Sequence, residues 1–263
     1  MTKGAALILS FGLALGLGAQ DSDKVGKDKA PTVAKKSTAE VQKKKSAVIA
    51  VATEVKLGPQ AVNSTFEGVL RKEFAGVKGS ADVFAKGSVY LVKVGDRYDS
   101  PDTLKGQEAV PALSFKNPAV MLSEAGRLAP GATYLSDDKV DGTDCKVLSL
   151  VADPVLLKEH LKEVGAIVQK TLKGFAGDLF SGNLASIFDE KTSVSRYALW
   201  VGKSDLLVHK LEWAMKPDVK PGSLPPQAPQ VSVELHSEVK FTKWDEDVAF
   251  EIPAAVKAKW GIK

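Results

Sequence analysis

The amino-acid sequence predicts a mainly β protein with added α-helix, in which one antiparallel sheet keeps a single apolar face. Three observations lead there. Short runs of alternating apolar and polar residues follow one another, separated by glycine-containing turns. One late run, Val231, Val233, Leu235, Val239 and Phe241 against Ser232, Glu234, His236, Glu238 and Lys240, is apolar on one side and polar on the other. Twice an Asx-Pro pair, Asn117-Pro118 and Asp153-Pro154, stands before a helical pattern. Asn and Asp can cap the first free N–H groups, and proline lacks the N–H that a first helical residue could not pair anyway.

Taken in order, residues 1–19 have the layout of a secretory signal peptide. Lys3 is followed by an apolar run from Ala5 to Leu17 and by small residues at Gly16, Gly18 and Ala19, which predicts cleavage after Ala19. The run is shorter than the roughly 20 residues that span a bilayer. The expected location is therefore periplasmic, as an exported protein soluble after cleavage.

Residues 20–45 carry eight lysines against Asp21, Asp23, Asp28 and Glu40. They account for the formal charge of +4 and leave the rest of the chain near neutral. Such a stretch predicts a basic flexible tail, solvated or in touch with anionic headgroups at a membrane surface. A near-neutral body argues against nucleic acid as a partner. Residues 46–263 then form one domain.

Within it, strands are expected at Ala47–Leu57, Ser64–Phe74, Ala81–Ala85, Ser88–Val94 and Ala132–Leu135, and again from Cys145 to Val151 after the hairpin turn Asp141-Gly142. Later strands are read at Ser193–Val201, Leu207–Met215, Val231–Phe241 and Ala249–Ile252. One short helix starts at Pro118. The second, from Pro154, has the strongest stripe in the chain: Leu157, Leu161, Val164, Val168, Leu172, Phe175 and Leu179, with Lys158, Glu159, Lys162 and Glu163 opposite. That helix either docks permanently on the sheet or caps a cavity as a lid. Its Gly165, Gly174 and Gly177 weaken it as an isolated helix.

Chemistry-bearing motifs are sparse. His160, His209 and His236 have no metal-ligand spacing, and His209 falls in phase with an apolar strand face, as a hydrogen-bonded core histidine would. The acidic stretch Asp137–Asp144 places Lys139 and Leu148 where a calcium loop needs oxygen ligands, so it reads as a polar turn. Cys145, the single cysteine, sits in a strand and reads as a buried thiol. No catalytic residue, metal or cofactor is expected.

Four stretches carry a resemblance. Ser88–Asp96, Val140–Leu148, Tyr197–Lys203 with Leu206–Trp213, and Val239–Pro253 resemble, in that order, strands and hairpins of the periplasmic lipoprotein-carrier superfamily, LolA/LolB-like and including proteins of the LppX/LprG type. What the resemblance implies is a curved antiparallel sheet, an incomplete β-barrel, whose concave face is covered by helices and holds acyl chains. It implies a non-catalytic extracytoplasmic binding protein, carrier or sensor, for a lipidic ligand or the acyl chain of a lipoprotein. The hydrophobic cavity would be lined by Phe66, Leu70, Tyr90, Leu157, Leu161, Val164, Val168, Leu199, Leu211 and Trp213. The alternative is an envelope regulatory or structural protein-interaction module with a filled core.

Overall fold

In a computed structural model, which describes residues 24–104, 109–176, 184–223 and 232–262, eleven strands form one antiparallel sheet. The strands are β1 (Ala47–Leu57), β2 (Gln60–Arg71), β3 (Phe74–Gly79), β4 (Val83–Lys86), β5 (Val89–Val94), β6 (Arg97–Asp99), β7 (Thr133–Val140), β8 (Thr143–Val151), β9 (Phe188–Gly202), β10 (Val208–Val219) and β11 (Val233–Thr242). Their order across the sheet is β6-β5-β4-β3-β2-β1-β11-β10-β9-β8-β7. Two simple meanders are thus joined by one seam, where β1 runs antiparallel to β11 from Val48↔Thr242 to Leu57↔Val233. β6 and β7 are the free edges, so the sheet is a barrel left open.

Among the described residues five α-helices accompany it: α1 (Lys24–Lys43), α2 (Ala109–Ser114), α3 (Pro118–Leu128), α4 (Pro154–Ala176) and α5 (Ala254–Trp260). The first four contribute to one apolar body with the concave face. It joins Ala30, Ala34 and Val41 of α1, Val110 of α2, Met121 and Leu122 of α3, and Leu161 and Val164 of α4 to Ile49, Phe66, Leu199 and Leu211 of the sheet. Both expected N-caps are made: Asn117 Oδ1 accepts from Ala119 N–H at 3.0 Å, and Asp153 Oδ1 from Leu156 N–H at 2.8 Å. The convex face has its own small clusters, Val140, Cys145, Val147 and Trp200 on β7–β9, and Phe84, Leu91 and Val256 where α5 packs on β4 and β5.

The strand pattern, the Asp141-Gly142 hairpin and the two Asx-Pro helix starts stand as expected, and several boundaries do not. Residues 24–43 of the stretch expected to be a flexible tail form α1. Ala30, Ala34, Ser37 and Val41, at helical spacing, make a buried stripe of mostly small residues, while Lys35 and Lys36 stay in water. The expected strand Ser64–Phe74 is broken by the two-residue turn Lys72-Glu73 between β2 and β3. Ala249–Ile252 is not a strand: β11 is already paired on both sides, and the segment crosses the convex face, where Phe250 lies against Gly76. A Cβ on Gly76 would come within 2.4 Å of that ring. Residues 1–23, the expected signal peptide among them, lie outside the described residues, as do Leu179 and Val231. No described helix is long and apolar enough to cross a membrane.

Candidate functional site

The concave face carries two features: a buried polar cluster at its centre and an apolar cleft at its rim. The cluster begins with β9 and β10. Alternation along β9 points Ser195, Tyr197 and Leu199 inward, and β10 adds Leu211 and Trp213 beside them through the pairs Tyr197↔Trp213 and Leu199↔Leu211. Helix α4 lays His160 onto these rings, 4.9 Å from the Trp213 ring and 6.0 Å from the Tyr197 ring. Helix α3 adds Glu124, and the residue before its cap adds Lys116.

The hydrogen bonds form one chain. Trp213 Nε1–H donates to Ser195 Oγ at 3.0 Å, Ser195 Oγ meets His160 Nδ1 at 2.7 Å, and His160 Nε2 meets a Glu124 oxygen at 3.3 Å. A carboxylate only accepts, so Nε2–H donates to Glu124, and in the neutral imidazole the serine hydroxyl then donates to Nδ1. Tyr197 O–H donates to the same carboxylate oxygen. Lys116 Nζ binds the other oxygen at 3.0 Å, reaches Glu163 of α4 at 3.0 Å, and lies 4.5 Å from the centroid of the Trp213 ring. Burial would push the Glu124 carboxyl up, but the His160 bond, the Lys116 charge and the Tyr197 hydroxyl together hold it at about 2. Burial first, and the Glu124 charge next, raise the Tyr197 phenol well above its ordinary range.

A serine–histidine–carboxylate chain invites comparison with hydrolytic triads, which need a nucleophile open to substrate. Here Ser195 is 1% exposed and His160 0%. The chain instead ties α3 and α4 to the sheet. It also reports the curvature. Tyr90 on β5 and Tyr197 on β9 are seven strand positions apart, which in a flat sheet would be about 30 Å. Yet Tyr90 OH accepts from Asn117 N–H at 3.2 Å, one residue from the Lys116 whose partner Glu124 holds Tyr197.

All ten residues expected to line a cavity belong to this concave apolar body. Phe66, Leu70, Leu161, Val164, Val168, Leu199, Leu211 and Trp213 are buried in it, and Tyr90 and Leu157 pack against it half-buried. Leu70 is the one among them that also lines a described cleft. That cleft, of about 360 Å³, lies between α1 and α3 at the end of β2 and just past β11. Val41, Leu70, Ala119, Leu122 and Trp244 form its apolar wall, with Lys44 and Lys72 at its edge.

Sequence reasoning missed the cluster and most of the cleft. His160 does sit inside the α4 stripe, four residues from both Leu156 and Val164, which is the available signal; Lys116 and Glu124 give none. The expected core histidine, His209, is not fully buried. A register shift between Val208 and Lys210 takes it out of phase, and its Nε2 pairs with Asp205 at 3.0 Å. The acidic turn is internally satisfied: Asp138 accepts from Trp200 Nε1–H at 2.8 Å, Asp137 pairs with Lys203 and Asp144 with Lys139. Among the described residues no group of three His, Cys, Asp or Glu side chains could hold a metal.

No family model and no curated protein matches the chain. Among solved structures it is similar to the Mycobacterium tuberculosis lipoprotein LppX, with a TM-score of 0.43 and 12% identity over 85% of this chain and 99% of that one. LprF from Mycobacterium bovis gives 0.39 and 13% over 87% and 99%. A LolA-superfamily protein from Nitrosomonas europaea gives 0.29 and 12% over 81% and 94%.

Proposed function

We propose that the protein is a non-catalytic, extracytoplasmic binding protein for a lipidic or acyl-chain ligand, acting as a carrier or sensor. One observation carries the reading: four helices lie on the apolar concave face of an open barrel, and an apolar cleft between two of them opens onto that same body. Its volume is at the lower end of the roughly 300–1,000 Å³ typical of small-molecule sites. Each buried methylene contributes about 0.8 kcal/mol, so a dry cleft suffices for useful affinity without a reactive group. Leu70 stands at the entry. Phe66, Tyr90, Leu157, Leu161, Val164, Val168, Leu199, Leu211 and Trp213 continue the same surface inward and would receive the chain further in.

The second reading, an envelope interaction module with a filled core, is favoured by the packing at the centre, where Leu199 and Leu211 are 0% exposed and the His160–Glu124 chain is closed. Native mass spectrometry of the gently purified full chain separates the two. Co-purified lipid supports the carrier. Protein that arrives empty and fails to take up an environment-sensitive fluorescent fatty acid refutes it.

A further inference from the structure

Helix α1 holds six lysines against Asp28 and Glu40, which equals the formal charge of the whole chain, +4. The bases and acids outside it balance. Packing turns this charge outward. Ala30, Ala34, Ser37 and Val41 lie against the body, and Lys35, Lys36 and Lys43 are left exposed on the other side of the helix. Lys43 is bound to Glu40 at 2.6 Å, whereas Lys35 and Lys36 have no acidic partner among the described residues. Acids on the elements packed beside α1 are engaged elsewhere: Glu124 of α3 holds Lys116, Asp137 of β7 pairs with Lys203, and Asp138 accepts from Trp200.

Exposed lysines are ordinarily a solvated face, and two observations set this one apart. The first is that all of the chain's excess charge is gathered on a single element, which gives a near-neutral molecule one positive side. The second is its place in the chain. The apolar run Ala5–Leu17 ends seven positions before Lys24, at most roughly 25 Å of extended chain. A bilayer that receives that run therefore has α1 at its surface. The apolar stripe of α1 is already packed on the body, so contact there is electrostatic rather than by insertion.

We propose that the outer face of α1, with Lys35 and Lys36 at its centre, docks the protein on an anionic lipid surface. Each lysine brought to such a surface raises affinity about fivefold, and the attraction fades within a Debye length, about 10 Å at 0.1 M salt. Thr38 and Val41 of the same helix line the cleft, so docking sets the cleft beside the bilayer. The docking face does not depend on which ligand the cleft takes.

The test is co-sedimentation of the full chain with phosphatidylglycerol vesicles and with phosphatidylcholine vesicles, at about 0.1 M and about 1 M salt. Binding to the anionic vesicles alone, lost at the higher salt, is expected. The double variant Lys35→Gln, Lys36→Gln should bind them roughly tenfold or more weakly. The charge-matched control Lys78→Gln, Lys93→Gln, exposed on β3 and β5, should bind like the parent. Equal binding to both vesicles, or binding that survives the higher salt, belongs to the apolar run Ala5–Leu17 and overturns the proposal. So does a Lys35, Lys36 variant that binds like the parent, or a control that loses as much. Absence of binding to either vesicle overturns the docking face and leaves the acyl-chain reading standing.

Discussion

Neutralising Glu124 should remove a large part of the protein's stability, and should do so in a way that pH can reproduce. The carboxylate is 14% exposed and holds Lys116, itself 4% exposed, together with His160 and Tyr197. In Glu124→Gln the amide still accepts from Tyr197 and His160, but Lys116 keeps only Glu163, which is 45% exposed. The folded protein holds the Glu124 carboxyl at about 2 against an ordinary 4.5. That gap corresponds to about 3 kcal/mol, close to the roughly 3–5 kcal/mol lost when one partner of a buried ion pair is removed. Because the folded value is the depressed one, this stability is fully present above about pH 4.5 and is lost as pH falls through about 2. Urea unfolding of the unmodified protein and of the variant, at pH 7 and at intervals below pH 5, reads both effects. The variant should be weaker by about 3 kcal/mol at pH 7, and its further loss in acid should be smaller by a similar amount. A variant within roughly 0.5 kcal/mol of the parent at pH 7, or one with the parent's full acid slope, refutes the reasoning.

Leu161→Glu places a carboxylate where the side chain is 2% exposed, on a helix held by His160 and Glu163, and should lower stability by at least about 3 kcal/mol in the same urea assay. A folded sheet with α4 released to protease would show instead that the helix is a lid. Gly68→Ala should be destabilised by about 2 kcal/mol or more, because its Cβ would stand 1.9 Å from the Gly76 carbonyl oxygen on the paired strand. The control Gly131→Ala meets nothing within 4 Å and should stay within about 0.5 kcal/mol of the parent in thermal melts.

What the sequence made legible were features decided locally. A strand such as β11, with Val233, Leu235, Val239 and Phe241 buried and Glu234 and Thr242 exposed, announces its face by alternation alone. The Asn117 and Asp153 caps and the Asp141-Gly142 turn depend on two or three neighbouring residues. Illegible were features created by partners distant in the chain. α1 was hidden because its buried stripe is mostly alanine and serine, whose apolar signal is drowned by the lysines around it. Ala249–Ile252 has strand composition, but whether a neighbour is left to pair with is a property of the whole sheet. The ten residues expected at a cavity came with the family resemblance, and alternation and helical spacing show only that they lie on apolar faces. Lys116 and Glu124 could not be picked out, since nothing local distinguishes a lysine that will be 4% exposed from one left in water. The bulge at Val208 displaced His209 for the same reason.

The seam between β1 and β11 governs the order in which the molecule can be made. Val48 faces Thr242, so a growing chain has synthesised every other strand of the sheet before its first strand meets its last neighbour. Until then it can be no more than two meanders, each with an open inner edge and half of the apolar surface uncovered. Closing so long a loop adds little entropic cost per added residue, but contacts this distant in sequence form slowly. Cooperative closure therefore waits for the C-terminal strand. A nascent chain stays loosely structured until β11 arrives, and any truncation before Val233 removes an interior strand of the sheet rather than an edge.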